Sequence, residues 1–236
     1  MKKTSFALSV AALAALLPLS SFADVAFNVG AVTDYRYRGI SQTRLKPALQ
    51  GGVDYTQGGL YLGAWASTIK WIKDGGGDAN VEIDLYGGYK GEITKGLGYD
   101  VGLLAYVYPS NKLTPSADTQ EIYGALSFGP ATLKYSHSVS NLFAATDSKN
   151  SGYLDLSASF EVMDGWSVAP HLGHQTVKNH SNLTYTDFSI TLSKDFKGLV
   201  PSIAIVGNDV KNKNDFTILG KELSKTSLVL GLKYNF

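Results

Sequence analysis

N-V-E-I-D-L-Y-G-G-Y-K-G, residues 80–91, alternates from one end to the other. Val81, Ile83, Leu85 and Tyr89 fall on one parity, and Glu82, Asp84 and Lys90 on the other. Successive side chains of a strand point to opposite faces, so the stretch predicts a strand with an apolar face and a charged face. Residues 151–162 repeat the pattern, with Leu154, Leu156, Ala158, Phe160 and Val162 opposing Tyr153, Asp155, Ser157, Ser159 and Glu161. So do residues 184–194, with Phe188, Ile190 and Leu192 against Asp187, Ser189 and Thr191. F-N-V-G-A-V-T-D-Y-R-Y-R-G, residues 27–39, extends the alternation: Phe27, Val29, Ala31, Thr33, Tyr35 and Tyr37 oppose Asn28, Gly30, Asp34, Arg36 and Arg38. Read alone, it predicts one long strand.

About twelve such stretches follow Asp24, each near the ~9–11 residues that a tilted transmembrane strand needs. Connections alternate in length. Long polar loops are predicted at 39–46, 70–79, 109–118, 141–151, 175–182 and 208–225, and tight links at 57–59, 91–96, 129–130, 163–165 and 195–198. A membrane barrel with short periplasmic turns, longer outside loops and an even strand count has this signature, whereas a soluble sandwich has no reason to sort loop length by parity. Residues 61–71 form the weakest strand, because both faces are fairly apolar.

The first residues fit export. Met1-Lys2-Lys3, an apolar run from Phe6 to Phe22 and Ser21-Phe22-Ala23 read as a signal peptide with a small-residue cleavage site. The organisation expected is therefore a cleaved signal peptide, residues 1–23, and one barrel domain, residues 24–236. Without Lys2 and Lys3, 19 basic face 20 acidic residues, and nothing points to a nucleic-acid partner. The chain has no cysteine, so no disulfide braces the exported protein.

Aromatics supply a further pattern. Phe27, Tyr55, Tyr89, Tyr99, Phe128, Phe160, Trp166 and Tyr234 fall near the expected periplasmic strand ends on the apolar faces, and Tyr35, Tyr37 and Trp71 near the opposite ends. Two aromatic girdles are expected where a barrel crosses the two interfaces. The last residues, L-V-L-G-L-K-Y-N-F, put Leu228, Leu230, Leu232, Tyr234 and Phe236 on one parity and end in an aromatic. This resembles the C-terminal signal through which outer-membrane barrels are recognised by the assembly machinery.

The fold expected is thus all-β, a transmembrane antiparallel up-and-down barrel surrounded by outer-membrane lipid. Its apolar face meets lipid and its polar face the lumen, which places Asp34, Arg36, Arg38, Asp54, Glu82, Asp84, Asp100, Glu121, Lys134, Asp155 and Asp187 as pore-lining candidates. Eight of these are acids and three are bases, so the lumen reads as mildly acidic and favourable to cations. The functional expectation is passive diffusion of small hydrophilic solutes or ions. The alternative is a non-conducting structural, adhesin or receptor barrel that acts through its outside loops.

Y-R-Y-R-G-I-S-Q-T, then P-A-L-Q-G-G-V-D-Y and G-L-Y-L-G-A-W-A-S, spanning Asp34 to Ser67, resemble the TorF-type porins of Gram-negative outer membranes. The likeness extends more loosely through Glu82 and Asp84 to Phe236. It implies an outer-membrane location and a porin role, and it transfers no substrate and no site.

Enzymatic and metal chemistry find little purchase. His171 and His174 are three apart and so point to opposite faces of a strand. His174 and His180 meet only if a loop brings them together, and no cysteine supplements them. His137 beside Ser136 and Ser138 is an adjacency without triad geometry. Asp74-Gly75-Gly76-Gly77-Asp78 lacks the spacing of a calcium loop. No catalytic residue, metal or cofactor is expected.

Overall fold

The computed structural model describes residues 23–236; the expected signal peptide, apart from Ala23, lies outside the described residues. Twelve antiparallel strands close into one barrel. They are β1 (Asp24–Val32), β2 (Ala48–Gln57), β3 (Leu60–Thr68), β4 (Val81–Thr94), β5 (Leu97–Val107), β6 (Thr119–Phe128), β7 (Ala131–Ser138), β8 (Gly152–Ala158 and Phe160–Met163), β9 (Trp166–Thr176), β10 (Tyr185–Lys194), β11 (Leu199–Asn208) and β12 (Ser227–Asn235). Each strand pairs with its neighbours in sequence. β12 returns to β1 through the register Asn28↔Asn235 to Val32↔Gly231, so the sheet has no free edge. The N–H and C=O of Phe27 also bond the C=O and N–H of Phe236, at 2.9 and 3.0 Å, which staples the chain ends at the seam.

The alternation sets the two faces. Val25, Phe27 and Val29 on β1, Leu154 and Leu156 on β8, Ile190 on β10 and Leu228, Leu230, Leu232 and Tyr234 on β12 are all exposed on the outside. An outer face this continuous and this apolar far exceeds the patches that soluble monomers tolerate. β8 carries its alternation across a break at Ser159, whose N–H bonds the Pro130 carbonyl at 3.0 Å instead of the ladder.

Loop length segregates by barrel end as predicted. At one end the links between strands are two to four residues, residues 58–59, 95–96, 129–130, 164–165 and 195–198. At the other end run the long connections: loop 1 (33–47), loop 2 (69–80), loop 3 (108–118), loop 4 (139–151), loop 5 (177–184) and loop 6 (209–226). These loops are tied to one another. Asn179 Nδ2 donates to the Asp147 carbonyl at 2.9 Å, His180 Nε2 lies 2.6 Å from the Thr146 carbonyl, and Asn182 Nδ2 donates to Asp215 Oδ2 at 3.1 Å. Loop 2 contains one helical turn, Trp71–Asp74, whose Ile72 is fully buried.

Three expectations need correction. The strand read over residues 27–39 ends at Val32, so Asp34, Arg36 and Arg38 sit on loop 1 and not on the face of a barrel strand. Tyr35 and Tyr37 are packed inside rather than in an outer girdle, because loop 1 turns inward. The strand read over 61–71 is Leu60–Thr68, and Trp71 is on the helical turn, edge-on to Tyr108 at 5.1 Å. The apolar look of both β3 faces has a simple origin: Leu60 and Leu62 are exposed outside, while Trp65 packs inside against Tyr35. Toward the loop end, the exposed outward aromatics among the described residues are Tyr135 and Phe188.

Candidate functional site

Loop 1 enters the lumen as a small hairpin. Arg36–Tyr37 pairs with Ile40–Ser41 around Arg38 and Gly39, which have φ of 45° and 77°. A two-residue turn of this hand needs left-handed backbone at both central positions, where Asn-Gly is the usual solution. Glycine is required at the second place, because a Cβ on Gly39 would lie 2.8 Å from Asp187 Cβ and 3.1 Å from the Gly207 carbonyl. Arginine at the first place is strained, and such strain persists only where surrounding contacts over-determine it.

Those contacts are dense. Asp34 anchors the hairpin base, accepting from Arg36 Nε at 2.6 Å and Ser41 Oγ at 2.5 Å. Arg36 also reaches the Leu223 carbonyl at 3.0 Å and Ser227 Oγ at 2.8 Å, which ties the hairpin to loop 6 and β12. At the tip, Arg38 Nη2 donates to both carboxylate oxygens of Glu121 at 2.9 Å, and Nη1 donates to Gln175 Oε1 at 3.1 Å. The guanidinium lies 4.1 Å from the ring centre of Tyr153 and 4.8 Å from that of Tyr37. Loop 1 springs from β1 and β2, whereas Glu121, Tyr153 and Gln175 stand on β6, β8 and β9. Arg38 therefore bridges the barrel from one wall to the other. Its pair with Glu121 is buried on both sides, so removal of either partner strands a buried charge, at about 3–5 kcal/mol.

Beside the hairpin, Tyr35 and Tyr108 donate to the two oxygens of Glu82, at 2.5 and 2.7 Å. Asp84 lies in the same field, close to Glu82 and Glu121, and its Oδ1 is buried without a hydrogen-bond partner. Above, Phe143 of loop 4 meets the rings of Tyr37, Tyr106 and Trp71 at 5.1–6.3 Å, and loops 2 to 4 pack over this aromatic group. On the loop rim, Lys112 donates to Asp78 Oδ2 at 2.9 Å and holds that exposed carboxyl below its ordinary range.

The turn-end half is built differently. Its links are too short to reach inward, and side chains of the strands alone furnish it. Asp54 accepts from the Tyr86 hydroxyl at 2.5 Å, and Asp100 from the Tyr61 hydroxyl at 2.5 Å. Tyr61 in turn contacts the Tyr123 hydroxyl. Lys134 Nζ sits 3.8 Å from the Tyr123 ring centre. Asp155 lies 2.7 Å from His171 Nε2, and at the boundary with the hairpin Asp187 accepts from the Tyr153 hydroxyl at 2.9 Å. The tyrosines lie along the wall rather than across the lumen, because they lean on inward-facing glycines. A Cβ on Gly63 would fall on the Tyr86 ring, and one on Gly173 would fall on Tyr153. Gly63→Val is therefore expected to swing Tyr86 into the lumen and lower any conductance, with little change in strand content by circular dichroism.

The family described as "Bacterial protein of unknown function (Gcw_chp)" matches this sequence over residues 18–236. The chain belongs to the Gcw_chp family. Among solved structures, this Gcw_chp chain is similar to the KdgM porin, with TM-score 0.59 and 8% identity over 89% of this chain and 99% of that one. It is similar to the KdgM porin in complex with disordered oligogalacturonate, with TM-score 0.57 and 8% identity over 91% and 99%. The NanC porin also matches, with TM-score 0.57 and 11% identity over 90% and 99%. Identities this low speak for a shared barrel fold alone. No curated protein matches the sequence.

Within the Gcw_chp barrel, Asp54, Glu82, Asp84, Asp100, Glu121, Lys134, Asp155 and Asp187 carry the inward parity of their strands. The structure splits them into two groups. Glu82, Asp84 and Glu121 gather around the loop 1 hairpin, while Asp54, Asp100, Lys134 and Asp155 line the turn-end half. Asp187 stands between, near Gly39 and 3.6 Å from His171 Nδ1. Lys90, His171 and Lys233 share the inward parity as well, and so do Asp24, Glu92 and Glu161 nearer the turn end, so acids still outnumber bases on the inward faces. Parity alone identifies all six. His174 points away from His171 and lies 3.0 Å from Thr186 Oγ1.

Proposed function

We propose that this chain is an outer-membrane channel for passive diffusion of small hydrophilic solutes or ions, with residues 1–23 a cleaved signal peptide and 24–236 the mature barrel. The observation that carries this reading is the pairing of a continuous apolar exterior with an inner wall of charged and hydroxyl-bearing side chains. Such a chain is stable where apolar solvent surrounds it and water fills it. The likeness to KdgM and NanC porins supports the reading at the level of fold. It is also the role that the TorF-type resemblance implies.

In this reading a solute crosses the polar turn-end half and meets its narrowest point at the Arg38 hairpin. The candidates named from sequence then divide the work: Asp54, Asp100, Lys134, Asp155 and Asp187 contact solute along the wall, and Asp34, Arg36, Arg38, Glu82, Asp84 and Glu121 build the constriction. The remaining acidic excess favours cations over anions. Leu228, Leu230, Leu232, Tyr234 and Phe236 serve as the signal read by the outer-membrane assembly machinery. Packing of loops 2 to 4 over the hairpin favours a second reading, a non-conducting barrel that acts through its loops.

Swelling of liposomes that contain the refolded mature chain separates the two. The channel reading expects swelling with small neutral sugars that falls as the sugar grows. Folded barrels that leave every solute outside would move the activity to the loops.

A further inference from the structure

The contacts of Arg38 have the composition of a receptor for an organic cation. Glu121 supplies two acceptors, Gln175 a third and Tyr153 an aromatic face, all buried and all on barrel strands. A strand-borne site holds its geometry whether or not a loop occupies it. The guanidinium that fills it comes from elsewhere, the tip of a hairpin with Arg38 in strained left-handed backbone. Asp84 lies in the field of Glu121, and its Oδ1 is buried with no hydrogen-bond partner among the described residues; Lys134 lies in the field of Glu121 and of Arg38. A buried unpaired oxygen of this kind calls for a donor that the resting chain does not furnish.

The geometry points to a recognition site for guanidinium-bearing or related organic cationic solutes on Glu121, Gln175, Tyr153 and Asp84, held in the resting barrel by Arg38 as a tethered stand-in for the solute. This inference rests on the channel reading for its transport meaning, but the site itself does not need conduction. Arg38 competes at the high effective concentration of a tethered ligand, typically millimolar for a short flexible link. A solute that takes its place frees the hairpin tip from the far wall. The solute that binds is thereby the solute that opens its own path. A planar guanidinium suits the site better than an ammonium, because it can engage Glu121 and Gln175 together while stacking on Tyr153.

The test uses Arg38→Ala in the refolded full barrel, with methylguanidinium chloride as probe, methylammonium chloride as comparison and sodium chloride at equal ionic strength as control. The melting temperature of Arg38→Ala should rise with millimolar methylguanidinium, respond less to methylammonium, and not move with sodium chloride. Wild type should respond only at higher concentration, because its site is filled. Adding Glu121→Gln should abolish the response. A melting temperature that methylguanidinium moves no more than sodium chloride does, or a response that survives Glu121→Gln, overturns the site. If Arg38→Ala does not refold by itself, refolding yield with and without methylguanidinium carries the same two outcomes. Bilayer conductance of the same sample keeps the two readings apart: binding without conduction sinks the channel and keeps the site, and conduction without binding does the reverse.

Discussion

Replacing the hairpin tip, residues 36–41, with a Gly-Ser pair is expected to raise the single-channel conductance several-fold. The hairpin carries the Arg38 side chain from the β1–β2 side to partners on β6, β8 and β9. Its removal takes away the Arg38 bridge and the contacts of Gly39 with Asp187 and Asn208. The barrel should survive, since β1 and β2 pair directly over nine positions, from Asp24↔Thr56 to Val32↔Ala48, with no help from the hairpin. Glu121 loses its cation, but in the widened lumen water reaches the carboxylate and removes most of the penalty of an unpaired buried charge. Heat-modifiable gel mobility establishes that the variant is folded before conductance is read. A folded variant with wild-type conductance would show that the hairpin does not limit passage.

Ile190→Arg is expected to destabilise the barrel by ~2–4 kcal/mol in lipid vesicles, the cost of arginine near the middle of the bilayer. Ile190 is 56% exposed, lies midway along β10 and faces outward between Pro170 and Ile205. Thr191→Arg, one residue on, turns the same charge into the lumen, where water can receive it, and should cost a small fraction of that. Urea titration of both variants in vesicles measures the difference. The comparison is sharp because the two substitutions share a strand, a depth and a side chain, and differ only in the face. Equal costs would remove the membrane from the picture. In water the order would reverse, since arginine at an exposed position is harmless.

The barrel was legible because its determinants are local. Period-two alternation marks each strand, as at Val81–Thr94, and loop length by parity marks which ends face the same way. The inward residues followed from parity, since a one-residue slip would turn every charge outward. Loop 1 was illegible for the opposite reason. Thr33 to Tyr37 continues the alternation of β1, so pattern alone carries the strand onward past Val32. The turn inward depends on partners remote in sequence: Glu82 for Tyr35, Glu121 and Gln175 for Arg38, and Leu223 and Ser227 for Arg36. Arg38-Gly39 in a two-residue hairpin is a weak turn signal beside Asn-Gly, and the arginine is there for its guanidinium rather than for its backbone preference. The tyrosines that lie over Gly63 and Gly173 depend on cross-strand register, which alternation does not encode.

The most direct test of a conducting barrel is the reversal potential of the refolded mature chain in a planar bilayer under a salt gradient. Steady conductance steps with a cation-directed reversal potential are the predicted result, because acids outnumber bases along the inward faces of the strands. Folded barrels that never conduct, with the hairpin present or excised, would contradict it and place the activity in the loops.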